Sequence, residues 1–457
     1  MAKVPNENLP LSAIGMFPSD WQEATLASIC HQVTDGTHDS PKPVAEGGFP
    51  LVTGKAIKDR RIDFAVTYNI SEEDHRQVLA RSKAEEGDIL FANIGNSIGD
   101  LVRVQTSRPF SIKNVALFKP NQEKVDPRYL EYYFLSEQVQ TFIKGTTRGS
   151  AQPFIGLSSL RGFPVALPQM NEQIGIGSIL GVLDDRIVLL RETNATLEAI
   201  AQALFKSWFV DFDPIHARAR GEQPAGLAPE VAALFPDSFE ESALGLVPNG
   251  WCWRTMDDVS TVGIGKTPPR KEPQWFSENL DDVPWVSIKD MGTAGVFINK
   301  TSEFLTPASI DRFNVRVVPD NTVLLSFKLT VGRLSITDGE MVTNEAIAHF
   351  KLGEDSPLSS AYIYLALRQF NFESLSSTSS IAEAVNSKTV RAIPILVPSP
   401  SLVTMFNDYA NPIFNRIKLL EKQAQTLANL RDTLLPRLIS GQLRLPDAEQ
   451  QLKDLAV

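Results

Sequence analysis

The sequence repeats itself at an offset of 230 residues, which restricts the chain to folds built from two equivalent units. IGMFPSDW at residues 14–21 returns as LGLVPNGW at 244–251, and FPVALP at 163–168 returns as IPILVP at 393–398. The same offset relates isolated residues between these segments: Asn114 and Asn344, Arg161 and Arg391. Because one offset aligns segments that lie so far apart, we infer that the 457-residue chain is a duplication.

The first part of each unit has the pattern of a mostly β domain. Short runs rich in β-branched and aromatic residues, such as 88–95 and 322–329, alternate with turn-forming glycine, asparagine and proline. Few segments have the period of a helix, and residues 128–143 form one of them. We therefore predict an α+β fold with pseudo-two-fold symmetry, in which each unit is a mostly β domain followed by a long helix.

Each unit ends in apolar residues spaced alternately by four and three positions, which is the seam of a coiled coil. The seam positions are Leu183, Ile187, Leu190, Asn194, Leu197, Ala201, Leu204 and Trp208 in the first unit, and Ile413, Ile417, Leu420, Ala424, Leu427, Arg431, Leu434 and Leu438 in the second. Because a single seam needs a partner, we predict that each helix packs on its duplicate, and pseudo-two-fold symmetry of the repeats makes the pair an antiparallel coiled coil.

Three seam positions depart from the apolar pattern. Asn194 can fix the register of the pair, and Ala424 is its small counterpart. Arg431 interrupts the seam and predicts a frayed or partner-facing stretch, before Gly441 ends the helix.

Four large aromatic residues lie together at the end of the first long helix. They have two interpretations, a local core or a docking patch for a partner, and we expect a mixture of both. These residues are Phe205, Trp208, Phe209 and Phe212.

The patterns also predict an order of domains along the chain. We expect an N-terminal arm at 1–20, a first β domain at 21–168, a central spacer helix at 169–212, an acidic linker at 213–250, a second β domain at 251–398, a C-terminal spacer helix at 399–441 and a tail at 442–457.

Charge is distributed unevenly, so the formal net charge of -10 does not exclude nucleic acid as a partner. Residues 211–241 contain seven acidic residues and two arginines, whereas 101–122 contain four basic residues and no acidic one. The two cysteines exclude a disulfide framework or a cysteine-rich zinc site. No apolar run approaches the roughly 18 residues of a membrane span, and no secretory signal is recognisable, so we expect a cytoplasmic protein.

Motifs of catalysis are missing or incomplete. GIGKT at 263–267 resembles the end of a phosphate-binding loop, but Ser260 replaces the required glycine and two prolines follow. NPIF at 411–414 resembles an amino-methyltransferase motif, yet no glycine-rich nucleotide-binding turn precedes it. His31 and His38 lack a third strong metal ligand nearby, so polar loop residues are the better interpretation.

The whole chain resembles the specificity subunit of type I restriction–modification systems. The resemblance is carried by TDGTHDSPKP (34–43), GDILFANIGNSIG (87–99), LFKSWFVDFDP (204–214), GIGKTPPRKEPQWF (263–276) and TLLPRLISGQL (433–443), which occur in order across both repeats. It implies two target-recognition domains, each reading one half of a gapped site in double-stranded DNA, and spacer helices packed antiparallel.

The resemblance also implies partners and an absence of chemistry in this chain. Two methyltransferase subunits would dock on the helices, and ATP-dependent restriction subunits would cleave. S-adenosylmethionine, ATP and magnesium would then be bound by partners, and no catalytic residue, metal, cofactor or membrane by this chain. The rival hypotheses are an assembly scaffold that does not bind DNA and a self-contained modification enzyme, against which the missing methyl-donor motif argues.

Candidate DNA-binding residues follow from side-chain chemistry, since compact polar groups suit base edges and cations suit phosphates or guanine. The candidates in the first domain are Asp35, Thr37, His38, Asp39, Ser40, Lys42, Lys55, Asn93, Asn96, Lys113, Asn114, Lys144 and Arg148, and those in the second are Lys266, Thr267, Arg270, Lys271, Lys289, Lys328, Arg333, Asn344 and Lys388. Asn114 and Asn344 have a second interpretation, because residues that recur in both domains can also cap equivalent turns.

Overall fold

The computed structural model describes residues 10–147, 153–375 and 385–454. The chain divides into two compact units. Unit 1 comprises Met1–Ile187 and Gln425–Val457, and unit 2 comprises Val188–Ala424. The division falls inside both long helices, so each unit contains a part of each helix.

Unit 1 combines short strands with helices that cover them. Its elements are β1 (Gln22–Thr25), α1 (Leu26–Ile29), β2 (Cys30–Asp35), β3 (Phe49–Val52), β4 (Ile57–Lys58), β5 (Arg61–Ile62), β6 (Tyr68–Ile70), α2 (Glu72–Ser82), β7 (Ile89–Phe91), β8 (Leu101–Arg103), β9 (Ser111–Ile112), β10 (Ala116–Pro120), α3 (Pro127–Leu135), α4 (Glu137–Thr146), α5 (Leu157–Arg161), β11 (Pro164–Leu167) and the first part of α6 (Met170–Phe209).

Unit 2 begins with the second part of α6, followed by two short helices and a hairpin and then by a domain of similar order. Its elements are α7 (Asp213–Ala219), α8 (Pro229–Ala232), β12 (Phe239–Ser242), β13 (Gly245–Pro248), β14 (Cys252–Thr255), α9 (Met256–Val259), β15 (Thr261–Ile264), β16 (Phe276–Ser277), β17 (Val283–Val286), α10 (Ile288–Thr293), β18 (Phe297–Ile298), β19 (Glu303–Leu305), α11 (Pro307–Phe313), β20 (Val323–Ser326), β21 (Leu334–Thr337), β22 (Val342–Thr343), β23 (Ile347–Lys351), α12 (Ser360–Gln369), α13 (Ser387–Arg391), β24 (Pro394–Val397) and the first part of α14 (Pro400–Ile439). The rest of α14 and α15 (Leu445–Asp454) belong to unit 1.

Two sheets form the centre of each β domain. In unit 1 the strand orders are β2-β10-β7-β8, which is antiparallel, and β6-β3-β9, in which β3 and β9 are parallel. In unit 2 the orders are β15-β23-β20-β21-β18 and β16-β19-β17-β22, with β17 and β22 again parallel. The predicted pairing of a mostly β domain with a long helix is confirmed in both units.

The sequence repeat corresponds to repeated hydrogen bonding. Gln22 pairs with Leu167 between β1 and β11, and 230 residues later Cys252 pairs with Val397 between β14 and β24. The repeated arginines have similar roles: the Arg161 guanidinium donates to the carbonyl of Val33 at 3.0 Å, and that of Arg391 donates to the carbonyl of Val262 at 2.7 Å. Each arginine thereby fixes the first strand of the main sheet beside the helix that carries it.

The long helices run antiparallel within each unit, as predicted. In unit 1 Asp184 of α6 forms an ion pair with Arg431 of α14, while Glu172, three turns earlier, pairs with Arg444 beyond the end of α14. In unit 2 the Asn194 amide donates to the carbonyl of Ile417 at 3.4 Å. The described seam residues are buried or half-buried, which confirms the coiled coil.

Two expectations about the helices need correction. Arg431 is helical and half-buried, and its partners are Asp184 and Asp432, so this stretch is neither frayed nor free for a partner. The aromatic cluster is core: Phe205, Trp208 and Phe209 are at most 4% exposed, and the half-buried Phe212 packs on that core. Burial leaves Phe205, Trp208 and Phe209 no surface on which to dock a partner, so the docking interpretation remains only for Phe212.

The described parts of the segments outside the β domains and spacer helices are folded as well. The acidic 213–250 segment contributes α7, α8 and a β12–β13 hairpin, and it buries Ile215, Val231 and Phe235 in the core of unit 2. In unit 1 the described parts of the arm and the tail pack against the core of that unit through Ile14 and Ala448. A few apolar residues are therefore enough to pack the acidic 213–250 segment against the β domain of unit 2.

Candidate functional site

A surface pocket of about 690 Å³ lies in unit 1 between the loop after β2 and helix α2. We call it the loop pocket. Its lining residues are Thr37, His38, Asp39, Ser40, Pro41, Lys42, Asp74, Gln77, Val78 and Arg81. Five of the candidate DNA-binding residues therefore share one concave surface with a helix that the sequence did not single out.

Backbone hydrogen bonds to β9 and to the turn after it fix the loop that follows β2. The Thr37 amide donates to the Ile112 carbonyl at 3.0 Å, and the Asn114 amide donates to the Thr37 carbonyl at 3.2 Å. A side chain at Gly36 would place its Cβ 2.1 Å from the Ile112 carbonyl oxygen, so only glycine permits this approach. The Lys113 ammonium donates to the Ser40 hydroxyl on the far side of the loop.

Asp35 lies behind the loop pocket at the end of β2 and is 4% exposed. Its carboxylate forms an ion pair with the guanidinium of Arg81, and its Oδ2 lies 3.0 Å from Nε2 of His38. The other ring nitrogen of His38 lies 3.0 Å from Oδ1 of Asn114. Loop, strand and helix therefore meet at one buried carboxylate.

Helix α2 is held firmly on the sheet below it. His75 stacks on Phe49 with ring centroids 3.9 Å apart, and its Nδ1 lies 2.8 Å from the Ser111 hydroxyl. Burial lowers the pKa of His75, so the ring is neutral at pH 7. With His75 as the anchor, the opposite edge of α2 presents Gln77 and Arg81 to the loop pocket.

The other candidates of unit 1 do not join the loop pocket. Lys55, Asn96 and Lys144 are exposed elsewhere on the unit, and Arg148 lies outside the described residues. Asn93 is only 5% exposed and donates to the Ile155 carbonyl at 3.1 Å. Burial corrects the predicted base contacts of Asn93 and Asp35, since neither side chain reaches the surface.

In unit 2 the equivalent loop follows β15 and is also tied down by its side chains. Lys266 donates to the Phe313 carbonyl at 2.5 Å, and the Thr267 hydroxyl donates to the carboxylate of Glu345. Arg270 lies over the rings of Phe276 and Trp285 at 4.2 and 4.6 Å and forms two hydrogen bonds with Glu303. Its guanidinium is half-exposed and is fixed before any ligand arrives.

The remaining candidates of unit 2 are scattered. Lys271, Lys289, Lys328 and Lys388 are exposed. Arg333 is half-buried and donates to the Ile288 carbonyl at 2.6 Å, which is a structural role.

The two recurring asparagines belong to equivalent strand ends. Asn114 has a left-handed backbone (φ 51°), and the Asn344 side chain accepts the amide of Ala346 at 3.0 Å. These local bonds support the interpretation of both residues as turn formers, with Asn114 also contacting His38.

The sequence analysis did not identify Asp74, Gln77 and Arg81 as site residues, because the charged sequence of α2 is typical of a solvent-exposed helix. The available signal was their spacing, since positions 74, 77, 78 and 81 lie on one face of a helix. Only the fold reveals that this face borders the loop.

Two further properties bear on chemistry. Among the described residues, no group of three or more histidine, cysteine, aspartate or glutamate side chains could hold a metal ion. Within the same residues, no helix combines the length and apolar character that crossing a membrane requires.

Known proteins resemble the chain over nearly its full length. A family model described as the type I restriction modification DNA specificity domain matches residues 18–199 and 248–402. The type I restriction enzyme HindI specificity subunit of Haemophilus influenzae is 27% identical, and the alignment covers 93% of this chain and 100% of that protein. The MjaIX specificity subunit of Methanocaldococcus jannaschii is 25% identical, with coverage of 95% and 96%.

A solved structure has a similar fold. The S subunit of a type I restriction–modification system from M. genitalium superposes with a TM-score of 0.55 at 16% identity, covering 94% of this chain and 98% of that one. At this identity the likeness supports the fold alone.

Proposed function

The chain belongs to the type I restriction modification DNA specificity domain family, and from this premise we propose that it selects a two-part DNA sequence. Unit 1 would read one half-site and unit 2 the other, with the loop pocket as the main contact of unit 1. The observation that carries this proposal is the match of one family segment to each repeat, the first of which contains the whole loop pocket.

The prediction of a non-catalytic specificity subunit is confirmed by the family and by the names of the relatives. The activity of the chain is therefore selection. The assembly scaffold that does not bind DNA is not favoured by these similarities.

The composition of the loop pocket suits the edges of base pairs. It combines cationic groups, carboxylates and an amide, and base edges in the major groove present both donors and acceptors. Exposed lysines around each β domain can bind phosphates and so set the position on the duplex without reading sequence. This division explains how a chain with net charge -10 can bind DNA through limited surfaces.

We further propose that the long helices dock two methyltransferase subunits and fix the gap between the half-sites. The partners would bind S-adenosylmethionine for adenine methylation, and restriction subunits with ATP and magnesium would cleave unmodified DNA. A target adenine would be flipped out of the stack into a methyltransferase. All of these steps would take place in the cytoplasm.

The test is a map of methylated adenines. The full chain is co-expressed with the methyltransferase subunit of its system in a host that lacks adenine methylation. We expect one motif with two defined halves separated by a fixed number of unspecified bases. A stable complex that leaves the genome unmethylated would contradict the proposal and favour the scaffold.

A further inference from the structure

We propose that Arg81 on α2 is a specificity-determining residue that reads a guanine in the half-site bound by unit 1, and that Asp35 positions it. The proposal rests on the proposed function and deepens it, because it assigns one position of the DNA motif to one side chain.

The guanidinium of Arg81 is fixed and still accessible. One of its terminal nitrogens, Nη2, donates to Oδ1 of Asp35, and the side chain is 51% exposed beside a partner that is 6% exposed. A guanidinium has five N–H donors in a planar fork, so one bond to Asp35 leaves others directed at the loop pocket. A fork of this kind matches O6 and N7 of guanine.

His38 fixes the orientation of the Asp35 carboxylate. Its Nε2 lies 3.0 Å from Oδ2 of Asp35, and its Nδ1 lies 3.0 Å from Asn114. Both ring nitrogens are therefore occupied, so His38 holds the carboxylate and leaves base reading to Arg81. This assignment changes the role expected for His38 from the sequence.

The other polar groups of the loop pocket favour a base edge over a phosphate. Asp39 and Asp74 add carboxylates, which a phosphate site would avoid, and Lys42 adds a cation. Gln77 lies one helical turn before Arg81, and within the described part of the chain no other side chain bonds to it. Glutamine can pair with adenine in the same groove, next to a guanine held by arginine.

Unit 2 lacks this arrangement. Gly265 takes the place of Gly36, since each glycine passes a backbone carbonyl too closely for a side chain, so Asp35 and His38 correspond to Ile264 and Thr267. Neither Ile264 nor Thr267 has a carboxylate with which to hold an arginine. Changes at Arg81 should therefore affect only one half of the motif.

The experiment compares adenine methylation by the full complex for wild type, Arg81→Lys, Arg81→Ala and Asp35→Asn. Arg76→Ala is the matched control, because Arg76 is on the same helix, is exposed and pairs with Glu72 away from the loop pocket. Arg81→Lys keeps the charge and removes the fork. We expect it to lower discrimination at one position of one half-site by roughly ten- to a hundredfold, with the other half unchanged.

Asp35→Asn should relax the same position as Arg81→Lys. The double variant should relax it no further, since both changes remove one positioned guanidinium. Melting curves of each purified complex report folding, and Arg81→Lys provides the test if Asp35→Asn fails to fold.

The possible outcomes separate this proposal from the function on which it rests. A two-part motif that Arg81→Lys leaves intact contradicts the assignment of Arg81, as does uniformly weaker methylation with an unchanged motif, which indicates a phosphate contact. Relaxation by Arg76→Ala as well would also overturn it. If the wild-type complex yields no two-part motif, the proposed function fails, and this proposal fails with it.

Discussion

His349 is buried in β23 of unit 2, directly opposite Gly263 of β15. A Cβ at residue 263 would lie 2.0 Å from the imidazole ring, so the glycine makes room for it. Among the described residues Nε2 of His349 has no hydrogen-bond partner. Burial, and then Arg316, lower the pKa of His349 to about 4, so the folded protein holds a neutral ring over most of the pH range.

We expect His349 to make unit 2 less stable in mild acid. At pH values between the ordinary pKa of about 6.5 and the folded pKa of about 4, His349 is protonated in the unfolded chain and neutral in the folded chain. Proton binding therefore favours the unfolded chain, and the free energy of unfolding falls as the pH falls. At pH 5 the loss relative to pH 7.5 is about 2 kcal/mol.

His349→Leu should reduce the difference in unfolding free energy between pH 7.5 and pH 5 by that amount. Tryptophan fluorescence during urea unfolding measures it, because five of the six tryptophans belong to unit 2. An equal pH dependence in wild type and variant would contradict the prediction.

At the scale of elements, ion pairs fix the β domain of unit 1 to its helices. Asp184 of α6 accepts bonds from Arg60, from Arg431 of α14 and from the hydroxyl of Tyr132 on α3. Burial alone would raise the pKa of Asp184, but these partners hold it below its ordinary value. The carboxylate is therefore charged at pH 7, and it links α6 to α3, to α14 and to the β4–β5 turn that carries Arg60.

In unit 2 backbone amides, and not side-chain cations, connect the β domain to α14. Glu421 of α14 accepts the amides of Val296 and Phe297 at 2.8 and 3.1 Å. Gly295 allows the approach, since a Cβ there would lie 2.1 Å from the carboxylate. Burial raises the pKa of Glu421 to about 7. Both units therefore attach the β domain to the long helices through a carboxylate, which binds side-chain cations in unit 1 and backbone amides in unit 2.

Asp184→Asn should destabilise unit 1 by roughly 2–3 kcal/mol, because it leaves Arg60 and Arg431 partly buried without their shared partner. Asp185→Ala is the control, because the neighbouring Asp185 is exposed, and it should change stability by less than about 0.5 kcal/mol. Amide hydrogen exchange in unit 1 measures both effects. Equal protection in the two variants would show that the ion pairs of Asp184 do not stabilise unit 1.

At the scale of the whole molecule, each compact unit is assembled from distant parts of the chain. The core of unit 1 includes Leu434, Leu438 and Ile439, which follow all of unit 2 in sequence. An antiparallel helix pair requires this arrangement, because the end of α14 runs beside the beginning of α6. The compact units therefore do not coincide with the two sequence repeats, because each compact unit contains residues from both repeats.

Truncation after Ala424 should accordingly destabilise the N-terminal β domain more than the domain beside the cut. Removing residues 425–457 takes several fully buried leucines from unit 1, and each such loss costs about 2–5 kcal/mol. Hydrogen exchange should show lost protection in 22–167 and retained protection in 252–397. The reverse pattern would contradict the division into units.

The proposed gap between half-sites can be tested by lengthening the helices. Four residues inserted between Leu190 and Leu197, with four more between Ile413 and Leu420 to preserve pairing, add about 6 Å to the pair. The gap in the methylation motif should grow by one or two base pairs, with both half-sites unchanged. The same insertion between the exposed residues 221 and 222 is the control. Altered half-sites with a constant gap would contradict a spacer role.

The sequence by itself determined the duplication, the α+β class, the helix seams and the antiparallel pairing, because these depend on periodicity, which is local and survives without coordinates. It also identified a group of polar candidates for DNA contact between Asp35 and Lys42. Only the tertiary structure decided that Asp35 and Asn93 are buried, that four aromatics are core, and that Arg81 faces the loop. Burial and long-range pairing depend on which elements become neighbours, and a residue's own type and spacing do not specify its distant partner.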